Sequence, residues 1–304
     1  MGGARERAVF WSIAALLVGG AALAYRVLLG PAPAATRPPP QAAAAAAAAP
    51  LIVVATSGEV TIVRAGARSR AAKGDVLRAD DAIETAPGGR VELDGGGYEV
   101  FLDEDASFDV REITAELSRF RLVQGVVSAR VRDDHAVEIE GVEGSRVRTR
   151  GGDVAVARSG DTVAVGVERG SAEFAAAGGT VVLASGQQSV AAPGRRPSPP
   201  APIPASLLLK VSWPDERTTN RRKMVVTGRT QPGAIVVLGD ERVEVQPDGR
   251  FTHVIALREG RQRLSARARG VGGSASADGP VILLDTRAPD ARFDTRELWR
   301  KAEK

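Results

Sequence analysis

Residues 90–102 read RVELDGGGYEVFL. Val91 and Leu93 alternate with charged residues, three glycines follow, and a second alternating run begins at Tyr98. A period of two places apolar side chains on one face of a strand. Clustered glycines favour a tight connection because glycine accepts positive φ at little cost. This stretch therefore predicts a β-hairpin made of residues 90–94 and 98–102.

Short alternating runs with glycine at the junctions recur along the chain. In the first half the further predicted strands are 58–64, 120–123, 126–131, 137–139, 147–149, 154–156, 162–167 and 181–183. In the second half they are 207–213, 224–227, 234–238, 242–245, 251–257, 263–268 and 281–284. Helical periodicity is absent after Gly30. The predicted fold class is all-β, with an N-terminal transmembrane helix, a β domain of many short strands and an immunoglobulin-like (Ig-like) β-sandwich.

The first 30 residues predict a membrane segment. Arg5 and Arg7 precede an uncharged run at 8–25, and 27–29 extends it if Arg26 snorkels, which approaches the ~20 residues of a span. A retained anchor is favoured. A cleaved signal peptide is the alternative, because residues 22–24 (ALA) form a small-x-small site. Because basic residues lie in the short segment before the apolar run, that segment is predicted to be cytoplasmic and the rest of the chain to lie outside the cytoplasm.

Proline-rich tracts divide the chain. The predicted divisions are 1–30 anchor, 31–50 Pro/Ala-rich linker, 51–192 first β domain, 193–205 Pro-rich linker, 206–287 second β domain and 288–304 tail. Within the tail, Asp294–Glu297 has capping-box spacing and predicts a short helix at 295–303, with a frayed tail as the alternative. Cysteine is absent from all 304 residues, so disulfides and a lipoprotein anchor are excluded.

Charge is divided between the two halves. Residues 51–192 hold 16 Lys/Arg and 23 Asp/Glu, a net charge of −7, whereas residues 193–304 hold 21 and 13, a net charge of +8. One interpretation is that the domains attract each other, or that the second meets an anionic polymer such as a glycan bearing phosphate or carboxylate. The other is that both surfaces are merely solvated.

Two arginine stripes share strand parity and are candidates for binding anions through bidentate contacts. They are Arg146, Arg148 and Arg150 in the first domain and Arg261, Arg263, Arg267 and Arg269 in the second. The alternative is a solvated outer face of a half-buried strand. Nucleic acid is not an expected partner, because the chain is predicted to be exported and no aromatic residues are interleaved for stacking.

Other chemical sites are weakly indicated. Asp103, Asp105, Ser107 and Asp109 have calcium-loop spacing, but Phe108 and Thr114 occupy the positions of the required Gly and Glu, so an EF-hand is excluded. A turn that enters a strand with its acidic face in water is favoured, and looser calcium binding is the alternative. His135 and His253 lie more than 100 residues apart, which leaves little for a metal site or catalytic triad. We therefore predict no catalytic residues, no metal, no cofactor and no enzymatic activity.

The first domain resembles the FecR-type periplasmic domain. The matching pieces are GEV at 58–60, GDVL at 74–77, DDAIET at 80–85, GGRVEL at 88–93, LVQGVV at 122–127, VAVGVERG at 163–170 and LASGQQ at 183–188. Residues 140–144 depart from the family, where a Thr-Pro step is common. The resemblance implies a single-pass protein of the bacterial inner membrane with residues 31–304 in the periplasm.

FecR proteins that regulate sigma factors bind them through a substantial cytoplasmic region. Here residues 1–7 are the expected cytoplasmic part, so sigma-factor regulation is expected only if a partner supplies the cytoplasmic half.

The second domain resembles the bacterial Ig-like module of the glucodextranase B type. The matching pieces are VTGRTQPGA at 226–234, VQPDGRF at 245–251 and LREG at 257–260. Residues 269–273 replace the module's Asp-x-x-Gly-Asn turn. Such modules are mostly spacers or adhesive units. The sequence thus predicts a non-catalytic envelope protein that binds, senses or scaffolds, with the inner membrane and an envelope protein or anionic envelope polymer as partners. The alternative is FecR-like signalling through a partner.

Overall fold

The computed structural model describes residues 49–287, which are all-β. The strands are β1 (Leu51–Ser57), β2 (Val60–Arg64), β3 (Ala67–Arg70), β4 (Val76–Leu77), β5 (Ala82–Thr85), β6 (Arg90–Asp94), β7 (Tyr98–Leu102), β8 (Ser107–Ile113), β9 (Leu117–Glu140), β10 (Arg146–Ser159), β11 (Thr162–Ala176), β12 (Gly179–Ala184), β13 (Gln187–Ala191), β14 (Ala201–Pro202), β15 (Leu209–Ser212), β16 (Thr218–Thr219), β17 (Lys223–Thr230), β18 (Ile235–Leu238), β19 (Glu241–Val243), β20 (Arg250–Ala256), β21 (Gly260–Gly270) and β22 (Gly273–Leu284). The all-β class that the sequence predicts is confirmed for this part of the chain.

The hairpin predicted at residues 90–102 is present as β6 and β7. The two strands pair antiparallel, with Leu93 opposite Val100. Its glycines are required by packing, because a Cβ on Gly95 would lie 2.2 Å from Cζ of Tyr98 and one on Gly97 would lie 3.0 Å from Cβ of His135. The turn thus leaves space for a buried tyrosine ring and a buried histidine.

The middle of the first β domain differs from the prediction of short strands. β9, β10 and β11 contain 24, 14 and 15 residues. β9 and β10 each join runs that the sequence suggested were separate, and β11 extends well beyond the single run predicted at 162–167. Glycines bend these strands without ending them: Gly125 in β9 has φ +104° and Gly152 in β10 has φ +108°. Because glycine tolerates these angles, the strand changes direction and continues to pair.

The bend at Gly125 lets β9 serve two branches of one 14-stranded sheet. Before the bend β9 pairs with β8, which continues through β5 to β2 and β3, and after it β9 pairs with β7, which continues through β6 to β1 and β4. Side chains from both branches meet in one core, where the rings of Phe108 and Phe120 stack 4.9 Å apart. We call residues 51–192 the first block.

Residues 206–287, the second block, form two smaller sheets. β15, β17 and β20 make a three-stranded sheet, and β16, β22, β21, β18 and β19 make a five-stranded one. Val226 and Phe251 from the first sheet share a core with Val236, Leu238 and Ala268 from the second, so the sheets pack face to face as a sandwich. The two-layer β architecture is as expected, and the Ig-like family assignment and the domain bounds stay predictions.

The Pro-rich segment 193–205 is not a free linker. β14 pairs with β13 at the edge of the first block, and the Ile203 amide donates to the Gly186 carbonyl at 2.8 Å. The Ser189 hydroxyl also donates to the Ser198 carbonyl at 2.7 Å. Proline suits an edge position because it lacks the amide that would be left without a partner. The segment is therefore fixed along the sheet edge.

The predicted anchor at 1–30, the linker up to residue 48 and the predicted helix at 295–303 lie outside the described residues. Between residues 49 and 287, no helix has the length and apolar character needed to span a bilayer.

The bend of β9 gives a first prediction. Gly125→Ala should lower the free energy of unfolding by about 3 kcal/mol for two reasons. Alanine is unfavourable at a positive φ, and its Cβ would lie only 2.4 Å from Cβ of Ala106. Gly178→Ala is the matched control: its φ is +71° with open space around the new Cβ, so about 1 kcal/mol is expected. Urea unfolding of both variants measures the difference, and equal losses would contradict the steric role of Gly125.

Candidate functional site at the junction of the two blocks

Asp103, Glu104 and Asp105 form the acidic turn that connects β7 to β8. Thr85 braces it, since its hydroxyl donates to the Asp103 carbonyl at 2.6 Å and accepts from the Ala106 amide at 2.8 Å. The Gly88 amide donates to the Glu104 carboxylate. Asp105 has φ +56°, which Asp tolerates better than most residues. The chain thus holds three carboxylates on one short, fixed turn.

Arg269 of β21 inserts its guanidinium into the acidic turn. Nη1 lies 2.6 Å from Glu104 Oε1 and 3.7 Å from Asp103 Oδ2, and Nη2 donates to Asp105 Oδ2 at 3.1 Å. The residue is only 7% exposed. Burial lowers the pKa of Arg269, and the nearby Asp103 carboxylate opposes that shift. Since arginine keeps its charge even when buried, this is a desolvated ion cluster joining the two blocks.

Further arginines surround the same turn. Arg90 bonds Asp103 Oδ1 through Nε at 2.9 Å, and Arg267 approaches Glu104 at 3.9 Å. Arg242 donates to the Asp105 carbonyl at 3.1 Å, and burial lowers its pKa. The attraction between acidic and basic domains considered from the sequence therefore has a structural basis in these contacts.

An apolar patch completes the junction. Small and branched side chains from both blocks share one buried cluster: Val126, Ala155, Ala157 and Ala164 from the first block, and Ile235 and Val271 from the second. Contact is close, because a Cβ on Gly233 would lie 2.7 Å from Cβ of Ala164. Ion pairs thus fix the orientation of the blocks, and apolar burial adds a non-directional contribution.

A cleft of about 380 Å³ lies beside these contacts. It is lined by Arg90, Phe101, Leu102, Asp103, Val126, Ser128, Ala155, Glu168, Arg269, Gly270, Val271, Gly273 and Ser274. Both signs of charge, two hydroxyls and an aromatic ring thus border one concave surface. Such a mixture at the meeting of two blocks is typical of binding sites.

The second-block arginine stripe divides in the structure. Arg261, Arg263 and Arg267 are exposed on β21, as the parity predicted, while Leu264, Ala266 and Ala268 are buried. Arg269 is the exception and is engaged by the protein's own carboxylates. It is therefore not a free anion-binding residue, because its guanidinium is nearly buried and already lies beside three of the protein's own carboxylates. For the three exposed arginines anion binding stays a prediction.

The first-block stripe is exposed but is not purely basic. Arg146, Arg148 and Arg150 alternate with buried Val147 and Thr149 on β10. Glutamates on the neighbouring strands stand directly opposite two of these arginines: Glu140 is opposite Arg146, and Glu138 and Glu173 are opposite Arg148. Opposite charges at such positions stabilise the sheet. Glu138 itself pairs with Arg119 at 3.0 Å, so the register places carboxylates beside these arginines without giving them an ion pair within residues 49–287. Their role toward an external anion stays a prediction.

The two histidines lie in different surroundings. His135 is buried, stacks on the Tyr98 ring at 4.7 Å and lies 3.1 Å from the Ser118 hydroxyl. His253 pairs with Glu241 at 2.8 Å in the second block. No cluster of three metal-ligating side chains occurs in the described range.

The acidic turn shows what sequence reasoning missed. The spacing of Asp103 and Asp105 is that of a calcium loop, yet the structure places arginines against both residues. Their real partner, Arg269, lies 164 residues from Asp105, and only the opposite net charges of the two halves indicated that they would meet.

The sequence profile of the family described as FecR protein matches residues 81–173. This range runs from just before β5 into β11 and includes the acidic turn and the Gly125 bend. No curated protein matches the chain.

Solved structures resemble the chain only distantly. Two crystal structures of a candidate anti-sigma factor from Parabacteroides distasonis have 18% and 19% identity to it, each with a TM-score of 0.32. Each match covers 36% of this chain and 54% of the other, so the chain spans about half the length of these proteins. A polysaccharide lyase matches at 10% identity over 77% of this chain and 40% of its own, with a TM-score of 0.20. Such low scores carry no inference about function.

Tyr98 gives a pH prediction. Burial raises its pKa to about 12, with the nearby Ser118 hydroxyl opposing the shift, and its own hydroxyl meets no partner in bonding geometry among residues 49–287. The unfolded chain ionises near pH 10, so stability is intact below that pH and is lost as pH rises from 10 through 12. Tyr98→Phe should be nearly neutral at pH 7 and should remove about 2 kcal/mol of this alkaline loss. Urea unfolding between pH 9 and 12 measures it, and identical profiles would contradict the burial argument.

The junction gives a third prediction. Arg269→Gln should lower the free energy of unfolding by about 3 kcal/mol, because three carboxylates lose their buried cation. Arg263→Gln is the control on the same strand; it is exposed and should cost less than about 0.5 kcal/mol. Urea unfolding gives the cost, and hydrogen exchange at residues 103–106 shows whether it is local. Unchanged protection there in Arg269→Gln would argue against the ion cluster as the lock of the junction.

Proposed function

We propose that this protein is a non-catalytic binding and sensing module of the bacterial cell envelope. The observation that carries the proposal is the junction, where Arg269 and the acidic turn fix two β blocks against each other beside a cleft. A cleft bordered by two fixed blocks presents groups from both to a ligand. Recognition there depends on the relative position of the blocks, which suits a sensor or scaffold.

The chemistry of the cleft supports recognition in preference to reaction. Its carboxylates and guanidiniums are largely engaged with one another, as in the pairs Arg90–Asp103 and Arg269–Glu104. A general acid or base needs a titratable group with a pKa near the working pH and access to substrate. Groups in strong ion pairs instead keep their charge and provide fixed polar contacts.

The cellular setting is part of the proposal. The apolar run at 8–25, preceded by Arg5 and Arg7, would anchor the chain in the inner membrane, and residues 31–304 would lie in the periplasm. The Pro/Ala-rich tract at 31–50 would set the distance between the membrane and the first block.

FecR-like signalling through a partner is the second candidate. It is supported by the FecR family match at residues 81–173. In this case the two blocks would detect a signal outside the cytoplasm, and a partner in the membrane would pass that signal into the cell.

Site-specific crosslinking in cells tests the proposal. A photoreactive amino acid would be placed at Ser274, in the cleft, or at Thr180, an exposed control on β12. We expect an envelope protein or glycan to be captured from Ser274 and not from Thr180, and mass spectrometry identifies it. Capture of a transporter's signalling domain at Ser274 would favour the second candidate. Equal capture at both positions, or none at Ser274, would contradict the cleft as the binding site.

A further inference from the structure

The outer face of the three-stranded sheet carries three cationic side chains in one row. Lys210 of β15 lies directly opposite Arg229 of β17, which lies directly opposite Arg250 of β20. Directly paired residues project from the same face of a sheet. All three are exposed, while Val226 and Phe251 of the same sheet point into the core. We call Lys210, Arg229 and Arg250 the basic row.

This arrangement is unfavourable unless something compensates it. Like charges directly opposite each other destabilise a sheet, and neighbouring strands hold them only about 4.8 Å apart. Within residues 49–287 the basic row has one carboxylate partner, Asp248, which lies 3.5 Å from Arg250 and is itself exposed. The first-block stripe differs, because glutamates stand opposite its arginines.

The remainder of the face has a distinct order. Next to the basic row come three exposed hydroxyl side chains in register, Ser212, Thr227 and Thr252. Beyond them Val225 and Val254 pair, 55% and 50% exposed, and Lys223 ends the face. From Arg229 to Lys223 is six residues, or about 20 Å of strand. The face is therefore a strip with positive charge at both ends and hydroxyl and apolar groups between.

We propose that this face of the second block binds an anionic polysaccharide, a linear glycan bearing carboxylate or phosphate groups. The proposal rests on the binding function proposed above and adds a ligand class and a surface outside the junction cleft. The basic row and Lys223 take the anionic groups, the hydroxyl row bonds sugar hydroxyls, and the valines cover the apolar faces of sugar rings. The outward side chains of β15, β17 and β20 include no aromatic residue, which disfavours single-stranded nucleic acid.

The test measures binding of the full chain to sodium alginate, a carboxylate-bearing glycan, at low and moderate salt, with neutral dextran as the uncharged comparison. The test variant is Lys210→Gln/Arg229→Gln/Arg250→Gln. The matched control, Arg70→Gln/Lys73→Gln/Arg78→Gln, removes the same charge from exposed positions of the first block that belong to neither arginine stripe. Thermal melting checks that both variants fold, as expected for exposed positions.

We expect alginate binding by the wild type, roughly tenfold weaker binding by the basic-row variant, and near wild-type binding by the control. Salt should weaken wild-type binding more than that of the basic-row variant. Equal losses in both variants would overturn the proposal, because binding would then follow net charge alone. Tighter binding to single-stranded DNA or to phosphatidylglycerol vesicles would also overturn it. If alginate binding fails this test but crosslinking still captures a ligand specifically at Ser274, the proposed function stands without this face. If alginate binding passes and crosslinking at Ser274 fails, only the cleft is refuted as a binding site.

Discussion

The arrangement of the described residues depends on one desolvated cation, the Arg269 guanidinium. Removing a charged group from water costs several kcal/mol, and the cost is recovered only where the geometry of the opposite charges is good. The acidic turn provides that geometry because Thr85 holds its backbone and Gly88 holds the Glu104 carboxylate, both through contacts within the first block. The docking of the second block is therefore directional, since a rotation would separate a nearly buried guanidinium from the three carboxylates beside it.

The local structure was predictable where the signal was local. Alternation at 90–94 and 98–102 identified a hairpin, and the parity of Arg261, Arg263 and Arg267 identified the exposed face of β21. The long strands were not predictable, because Gly125 and Gly152 look like the turn glycines that surround them. Whether a glycine with positive φ ends a strand or bends it depends on pairing partners distant in the sequence. The same limit applies to the acidic turn, whose spacing suggested a cation but whose cation is Arg269, supplied from another strand.

Charge serves three different purposes on this molecule. At the junction opposite charges are buried and fix orientation. On β10 the register places opposite charges on neighbouring strands, with Glu138 and Glu173 on either side of Arg148. On the outer face of the three-stranded sheet charges repeat with the same sign, and within residues 49–287 Asp248 is the one carboxylate paired with them. A stripe of arginines in a sequence cannot distinguish these cases, because the difference lies in which residues the register places opposite them.

The fixed course of residues 193–205 bears on how strong the junction must be. A flexible tether holds two bodies at a limited effective concentration, and each closing event costs the entropy of ordering the tether. Here β14 and Ile203 are already bonded to the first block, so the second block begins its chain within reach of the acidic turn. Docking of the second block then costs less chain entropy than it would with a flexible linker. For this reason the contact between the two blocks needs less affinity than a contact between two separate proteins would.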